Sequence, residues 1–149
     1  MEQRGKAWFI FQLILFCSIL IVPVIERVEF PLWLRAIGLA LLVCGVIITV
    51  LGYRTIGRSH SPWTNPIEDG HFTSTGIYSC VRHPIYVGWI VGTLGWELLA
   101  NSLLGVGITV VLLVFYDLKS REEEKWLVEK YPDYSGYKDR VKRFVPWVY

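Results

Sequence analysis

Two apolar runs, residues 7–25 and 36–53, constrain this chain more than any other feature. Each is about as long as a helix must be to cross ~30 Å of hydrocarbon, and only Gln12, Ser18, Pro23, Thr49 and a few glycines interrupt them. Both are expected to be transmembrane helices. The first is too long for the apolar part of a cleaved leader, and no small-x-small site follows Ile25. The chain has 149 residues, 53% of them apolar, which suits a single membrane domain spanning residues 1–149.

The net charge of +2 says little, but its distribution says more. Arg4 and Lys6 precede the first run, Arg54, Arg58 and Arg82 follow the second, and residues 119–143 carry most of the remaining positives. By the positive-inside rule both termini and the central segment face the cytoplasm, and the connection at residues 26–35 faces out. Cys17 and Cys44 lie inside spans and Cys80 on the cytoplasmic side, so free thiols are expected. His60, His71 and His83 lack metal-ligand spacing, and neither CxxC nor HExxH occurs, so no metal site is indicated. Nothing in the pattern calls for nucleic acid, and the oligomeric state is open.

Residues 86–100 and 103–116 form two further apolar arms around Asn101-Ser102. Each is only ~22 Å long at ~1.5 Å per residue, so they read as a tight helical hairpin extended by its flanks, with spans at about 84–100 and 103–118. Gly38, Gly45 and Gly52 recur along one side of the second span, and Gly88, Gly92 and Gly95 make a small-residue face on the third. That face suits close packing against the returning arm or against the second span. Tyr86, Trp89, Thr93 and Glu97 share another face. Glu97 is the carboxylate within that arm, and an acid at membrane depth is a functional candidate unless it hydrates near the outer interface beside Asn101. The first span receives no chemistry.

Residues 54–83 are rich in Gly, Ser, Thr, Asn, Pro and His, with turn signals at Ser61-Pro62, Asn65-Pro66 and Asp69-Gly70. Such a long connection, interleaved with Trp63, Ile67, Phe72, Ile77 and Tyr78, is expected to fold over a ligand. It ends in Arg82-His83-Pro84-Ile85-Tyr86-Val87-Gly88. Pro84 suits the first position of a helix and pushes His83 into an extended conformation. The free N–H groups of that first turn, with Arg82, offer a place for a carboxylate or phosphate. Residues 119–149 begin as an acidic helix, turn at Tyr131-Pro132-Asp133, and end with Tyr134, Tyr137, Val141 and Phe144 alternating with Lys138, Arg140, Lys142 and Arg143. That alternation suits either a helix lying on anionic membrane lipids or a solvated helix whose aromatic side packs on the core.

The helix start at residues 82–86 and the acids at 122–124 fall at the cytoplasmic ends of one hairpin and should be neighbours. A ligand with a carboxylate at one end and hydroxyls, an amine and a cationic centre elsewhere would satisfy both poles, and S-adenosylmethionine is such a molecule. Spacing alone does not name it. Thr73-Ser74-Thr75-Gly76-Ile77-Tyr78, the Arg82–Trp89 element, Glu123-Glu124-Lys125-Trp126-Leu127 and Tyr134-Ser135-Gly136-Tyr137, however, resemble the isoprenylcysteine carboxyl methyltransferase family. The likeness covers about residues 57–146 and is shared in part by a wider group of membrane methyltransferases, phospholipid N-methyltransferases among them.

The resemblance implies an all-α, polytopic membrane protein of about four transmembrane helices, the last two a hairpin, with cytoplasmic C-terminal helices completing a pocket for S-adenosylmethionine. Matched residue by residue, Gly70, His71, Phe72, Thr73, Tyr78, Arg82, His83, Pro84, Ile85, Tyr86 and Glu123 or Glu124 are the expected cofactor contacts. Eukaryotic members place an arginine before the acidic run to hold the substrate carboxylate. Here Lys119 is the best-aligned position and Arg121 follows it, so these two are the catalytic candidates. A lipid-like or prenylated substrate would enter from the bilayer along Trp89, Thr93 and Glu97. The expected reaction is carboxyl O-methylation of an isoprenylcysteine-like acid, with S-adenosylhomocysteine departing. The alternatives are N- or S-methylation of a phospholipid headgroup or small hydrophobic amine or thiol, and a non-catalytic scaffold with the same shell.

Overall fold

The computed structural model describes residues 2–26, 28–57 and 72–149, with side chains from residue 6 onward. Among the described residues the regular structure is helical: α1 (Glu2–Ile25), α2 (Leu32–Ile56), α3 (Pro84–Leu99), α4 (Leu103–Lys130) and α5 (Tyr134–Arg140). A 3-10 turn at Gly76–Ser79 precedes α3, and an isolated parallel bridge joins Val81 to Lys142. Three of these helices, α1 from Lys6, α2 and α4, are long and apolar enough to cross a membrane. With 16 residues, α3 covers only ~24 Å at 1.5 Å per residue, short of the ~30 Å hydrocarbon layer.

The strongest packing in the bundle is α2 against α3, and it is made by glycines. A Cβ on Gly38 would stand 2.7 Å from the Leu99 nitrogen, and one on Gly45 would run into the backbone of Gly92. Gly88 and Gly95 meet Thr49 and Leu42 in the same way. The small-residue face of α3 is therefore spent on α2, not on the returning arm. The opposite side of α2 exposes Leu39, Val43, Val46, Ile47 and Val50, as a lipid-facing helix should.

α1 packs on α4 through Leu15 and Ile19 against Leu112, Phe115 and Tyr116, with Trp8 and Phe11 each about 5 Å from the Phe115 ring. Much of the remaining surface of α1 is exposed and apolar, and the helix runs across Pro23 before ending. α4 continues unbroken past the expected boundary at residue 118. Asp117–Arg121 and Glu122–Lys125 ion pairs support its charged half, and it stops only where Tyr131 turns extended before Pro132.

The hairpin turn and the α1–α2 connection lie at one end of the molecule. Ser102 caps α4 by accepting from Gly105 N at 2.9 Å, while Glu26 accepts from Ser102 Oγ at 2.6 Å and from Leu104 N at 3.0 Å. Asn101, at φ 61°, accepts from Phe30 N at 3.1 Å.

Candidate cofactor and acceptor site

At the other end, α3 begins as its sequence dictates. Pro84 occupies the first turn, and His83, at φ −124° and ψ 60°, lies outside the helical region. The segment after α5 folds back along this start: Arg82 N donates to Lys142 O at 2.8 Å and His83 N to Arg143 O at 3.2 Å. Tyr134 and Tyr137 of α5 are buried, and Tyr137 OH donates to Tyr78 O at 2.6 Å. The Phe72 ring packs, tilted or edge-on, with its centroid within 6 Å of those of Tyr131, Tyr134 and Tyr137. Of the two expectations for this segment, the structure takes the aromatic side packed on the core.

Two adjacent glutamates of α4 face into this end with different neighbours. Glu124 accepts from Arg82 Nε at 2.9 Å, Arg143 Nη2 at 3.0 Å and Arg143 Nε at 3.2 Å, and its Oε1 lies 3.1 Å from His83 Nε2. Burial by itself would raise its pKa, but the bonds from His83, Arg143 and Arg82 outweigh burial and hold the carboxyl well below the usual range. Arg82 also donates to the carbonyls of Lys138 and Val141, and Arg143 to Asp117. This is a saturated ionic knot.

Glu123 instead accepts a 2.5 Å bond from Tyr86 OH and lies 3.8 Å from His83 Nδ1 and 4.0 Å from Lys119 Nζ. Burial pushes its pKa up, against the pull of Lys119 and His83. Lys119 is buried and donates to Gln12 Oε1 of α1 at 3.0 Å, with its ammonium over the Tyr86 ring. Tyr86 is stacked between His83 and Tyr116. The Tyr116 hydroxyl is buried with no hydrogen-bond partner among the described residues.

The structure thus brings together Phe72, Tyr78, Arg82, His83, Pro84, Ile85, Tyr86, Lys119, Glu123 and Glu124 at one end. Thr73 directly follows Phe72 in the sequence, whereas Gly70 and His71 lie outside the described residues. Arg121 is not in the cluster: it is half exposed and pairs with Asp117 and Tyr149. Trp89 packs on Phe16 of α1, and the Thr93 hydroxyl donates to Trp89 and Ile90 carbonyls within its own helix. Glu97 sits at the opposite end, fully buried beneath Gly105, its oxygens unpartnered among the described residues. Glu97 therefore has no solvent-exposed surface at the hairpin end of the bundle. Sequence reasoning missed Gln12, Arg143, Lys138 and Tyr116. Gln12 was visible as the amide breaking the first apolar run, and Arg143 as part of the basic alternation.

Comparisons with known proteins agree on the kind of protein. A family model described as phospholipid methyltransferase matches residues 33–134. The protein-S-isoprenylcysteine O-methyltransferase of Xenopus laevis is 32% identical over 120 residues, covering 78% of this chain and 42% of the relative. That of Saccharomyces cerevisiae is 32% identical over 116 residues, covering 75% and 48%. A solved structure of a eukaryotic intramembrane Ras methyltransferase, an isoprenylcysteine carboxyl methyltransferase, superposes with a TM-score of 0.75 at 25% identity over 92% of this chain and 52% of that one. The chain spans about half the length of these relatives. The all-helical fold and its apolar helices are those of an integral membrane protein.

Proposed function

Because the chain belongs to the phospholipid methyltransferase family, we propose that it is a membrane methyltransferase using S-adenosylmethionine, and that its reaction is carboxyl O-methylation of an isoprenylcysteine-like lipidic acid. The observation that carries this reading is the Tyr86–Glu123–Lys119 cluster, set between the start of α3 and the charged half of α4. Its residues fit the cofactor. The first-turn N–H groups of Ile85 and Tyr86 suit a carboxylate, and Glu123 and the orphaned Tyr116 hydroxyl suit ribose or amine groups. When bound, S-adenosylmethionine supplies a methyl group activated by a sulfonium charge.

The rest falls to the chain. A carboxylate acceptor needs no general base, so the protein has to hold it in line and strip its water. Lys119 is the cation placed for that, since it is buried beside Glu123 while Arg121 points away. Gln12 fixes the ammonium from α1. Glu124, already bonded by two arginines, serves to hold the site's walls together. The positive residues at this end support a cytoplasmic site, reached by the acceptor from the bilayer.

Isothermal titration in detergent should show S-adenosylhomocysteine binding that Tyr86→Ala and Glu123→Ala each weaken by about tenfold or more. Unaltered affinity in both variants removes the assignment, and a folded protein with no titratable cofactor leaves the scaffold reading. A second acceptor class, a phospholipid headgroup amine, is favoured by the family description. Radiolabelled methyl transfer separates the two: base-labile label on a farnesylcysteine analogue marks an ester, and stable label on phospholipid marks N-methylation.

A further inference from the structure

Residues 144–149 form a closed loop that the proposed reaction does not use. Phe144 N and Val145 N both donate to Tyr149 O at 2.7 Å, and Val148 N and Tyr149 N return to Val145 O at 3.1 and 3.0 Å. Tyr149 pins this loop to α4: its hydroxyl donates to Asp117 Oδ1 at 2.7 Å and accepts from Arg121 Nη2 at 2.9 Å. At the tip Trp147 is 92% exposed, flanked by Val148 at 75% and Val145 at 48%. Trp147 also holds φ 61°, a left-handed conformation that is an outlier for a bulky side chain. A strained backbone that turns the largest apolar side chain outward is an arrangement water alone does not reward.

We propose that this loop is a membrane-interface anchor, in which Trp147, with Val145 and Val148, enters the boundary between headgroups and hydrocarbon of a phospholipid bilayer beside α4. The depth follows from what holds the loop. Asp117 and Arg121, its two fixed points, bracket Leu118, the last residue of the apolar half of α4. Leu118 is exposed and continues the lipid-facing surface of Val110, Val111 and Val114. The loop therefore hangs where α4 leaves the hydrocarbon, the zone in which indole rings are enriched because they offer lipid an apolar body and water an N–H. The anchor also has leverage on the site, because the neighbouring Lys142 and Arg143 carbonyls receive the N–H groups of Arg82 and His83.

The test compares tryptophan fluorescence of the full chain and of Trp147→Phe in phosphatidylcholine vesicles. Trp147 touches little, so the variant should fold, and the difference between the two isolates its emission. Lipids brominated just below the headgroup should remove most of that difference signal, and lipids brominated near the chain ends should remove much less. Equal emission with and without bromine, accompanied by free quenching by aqueous iodide, overturns the proposal, as does stronger quenching by the deep-brominated lipid. The outcome is independent of any methyltransferase activity.

Discussion

Glu123 and Glu124 are neighbours on α4, yet burial and bonding push them in opposite directions, and that separates their roles. Glu124 neutralises buried Arg82 and shares Arg143 with Asp117, so Glu124→Gln leaves Arg82 without its counter-ion and should cost on the order of 3–5 kcal/mol, read as a lower unfolding temperature in detergent. Glu123→Gln keeps the Tyr86 bond and should leave stability nearly unchanged while weakening S-adenosylhomocysteine binding. The pH dependences differ in the same sense. Glu124 is depressed in the folded state, so its contribution is fully present above its ordinary value of 4.5 and is lost as pH falls through its lower folded value. Glu123 is raised, so it protonates above 4.5, and cofactor affinity should fall on acidification while the fold still holds. A titration series from neutral to mildly acidic pH checks this: affinity and unfolding temperature declining together would contradict it, as would an unchanged affinity profile in Glu123→Gln.

Among the elements, the α2–α3 pair shows how far local pattern reaches. The glycines of both helices could be read as a close-packing surface, and they are one, because a Cβ on Gly45 would run into Gly92 and a Cβ on Gly88 or Gly95 would run into Thr49 or Leu42. Gly45→Ala should therefore destabilise by about 1–3 kcal/mol through overpacking, whereas Gly107→Ala, where an added Cβ meets nothing within 4 Å, should be neutral or slightly stabilising. Thermal unfolding of the two variants decides it. The start of α3 at Pro84 was equally legible, because Pro has one comfortable place in a helix. Partnerships set by the fold were not. The alternation after Pro132 has the same period whether its aromatic side meets lipid or protein, so it could not reveal that Tyr137 reaches Tyr78 or that Arg143 reaches Glu124. Gln12 showed only as an interruption, since its partner Lys119 lies 107 residues away.

For the molecule as a whole, the hydrogen bonds fix which connections share an end even though α3 is short for a span. Glu26 bonds Ser102 and Leu104, and Phe30 bonds Asn101, so the α1–α2 connection and the hairpin turn emerge together. Arg82 and His83 bond residues 142 and 143, so the start of α3 and the end of the chain emerge together at the opposite pole. If α1, α2 and α4 each cross the bilayer, α3 must cross as well, with local thinning or its flanking residues making up the missing length. Four spans would then follow, with the start of α1 and α5 on the side of the proposed cofactor site. Single cysteines at Glu29, Leu103 and Lys138, each in a background where Cys17, Cys44 and Cys80 are all serine, test this in sealed vesicles with an impermeant maleimide. Glu29→Cys and Leu103→Cys should label from one face and Lys138→Cys from the other, inverting together when the vesicles are inverted. Labelling of Leu103→Cys and Lys138→Cys from the same face would mean that α4 does not cross, and the four-span architecture would fall with it.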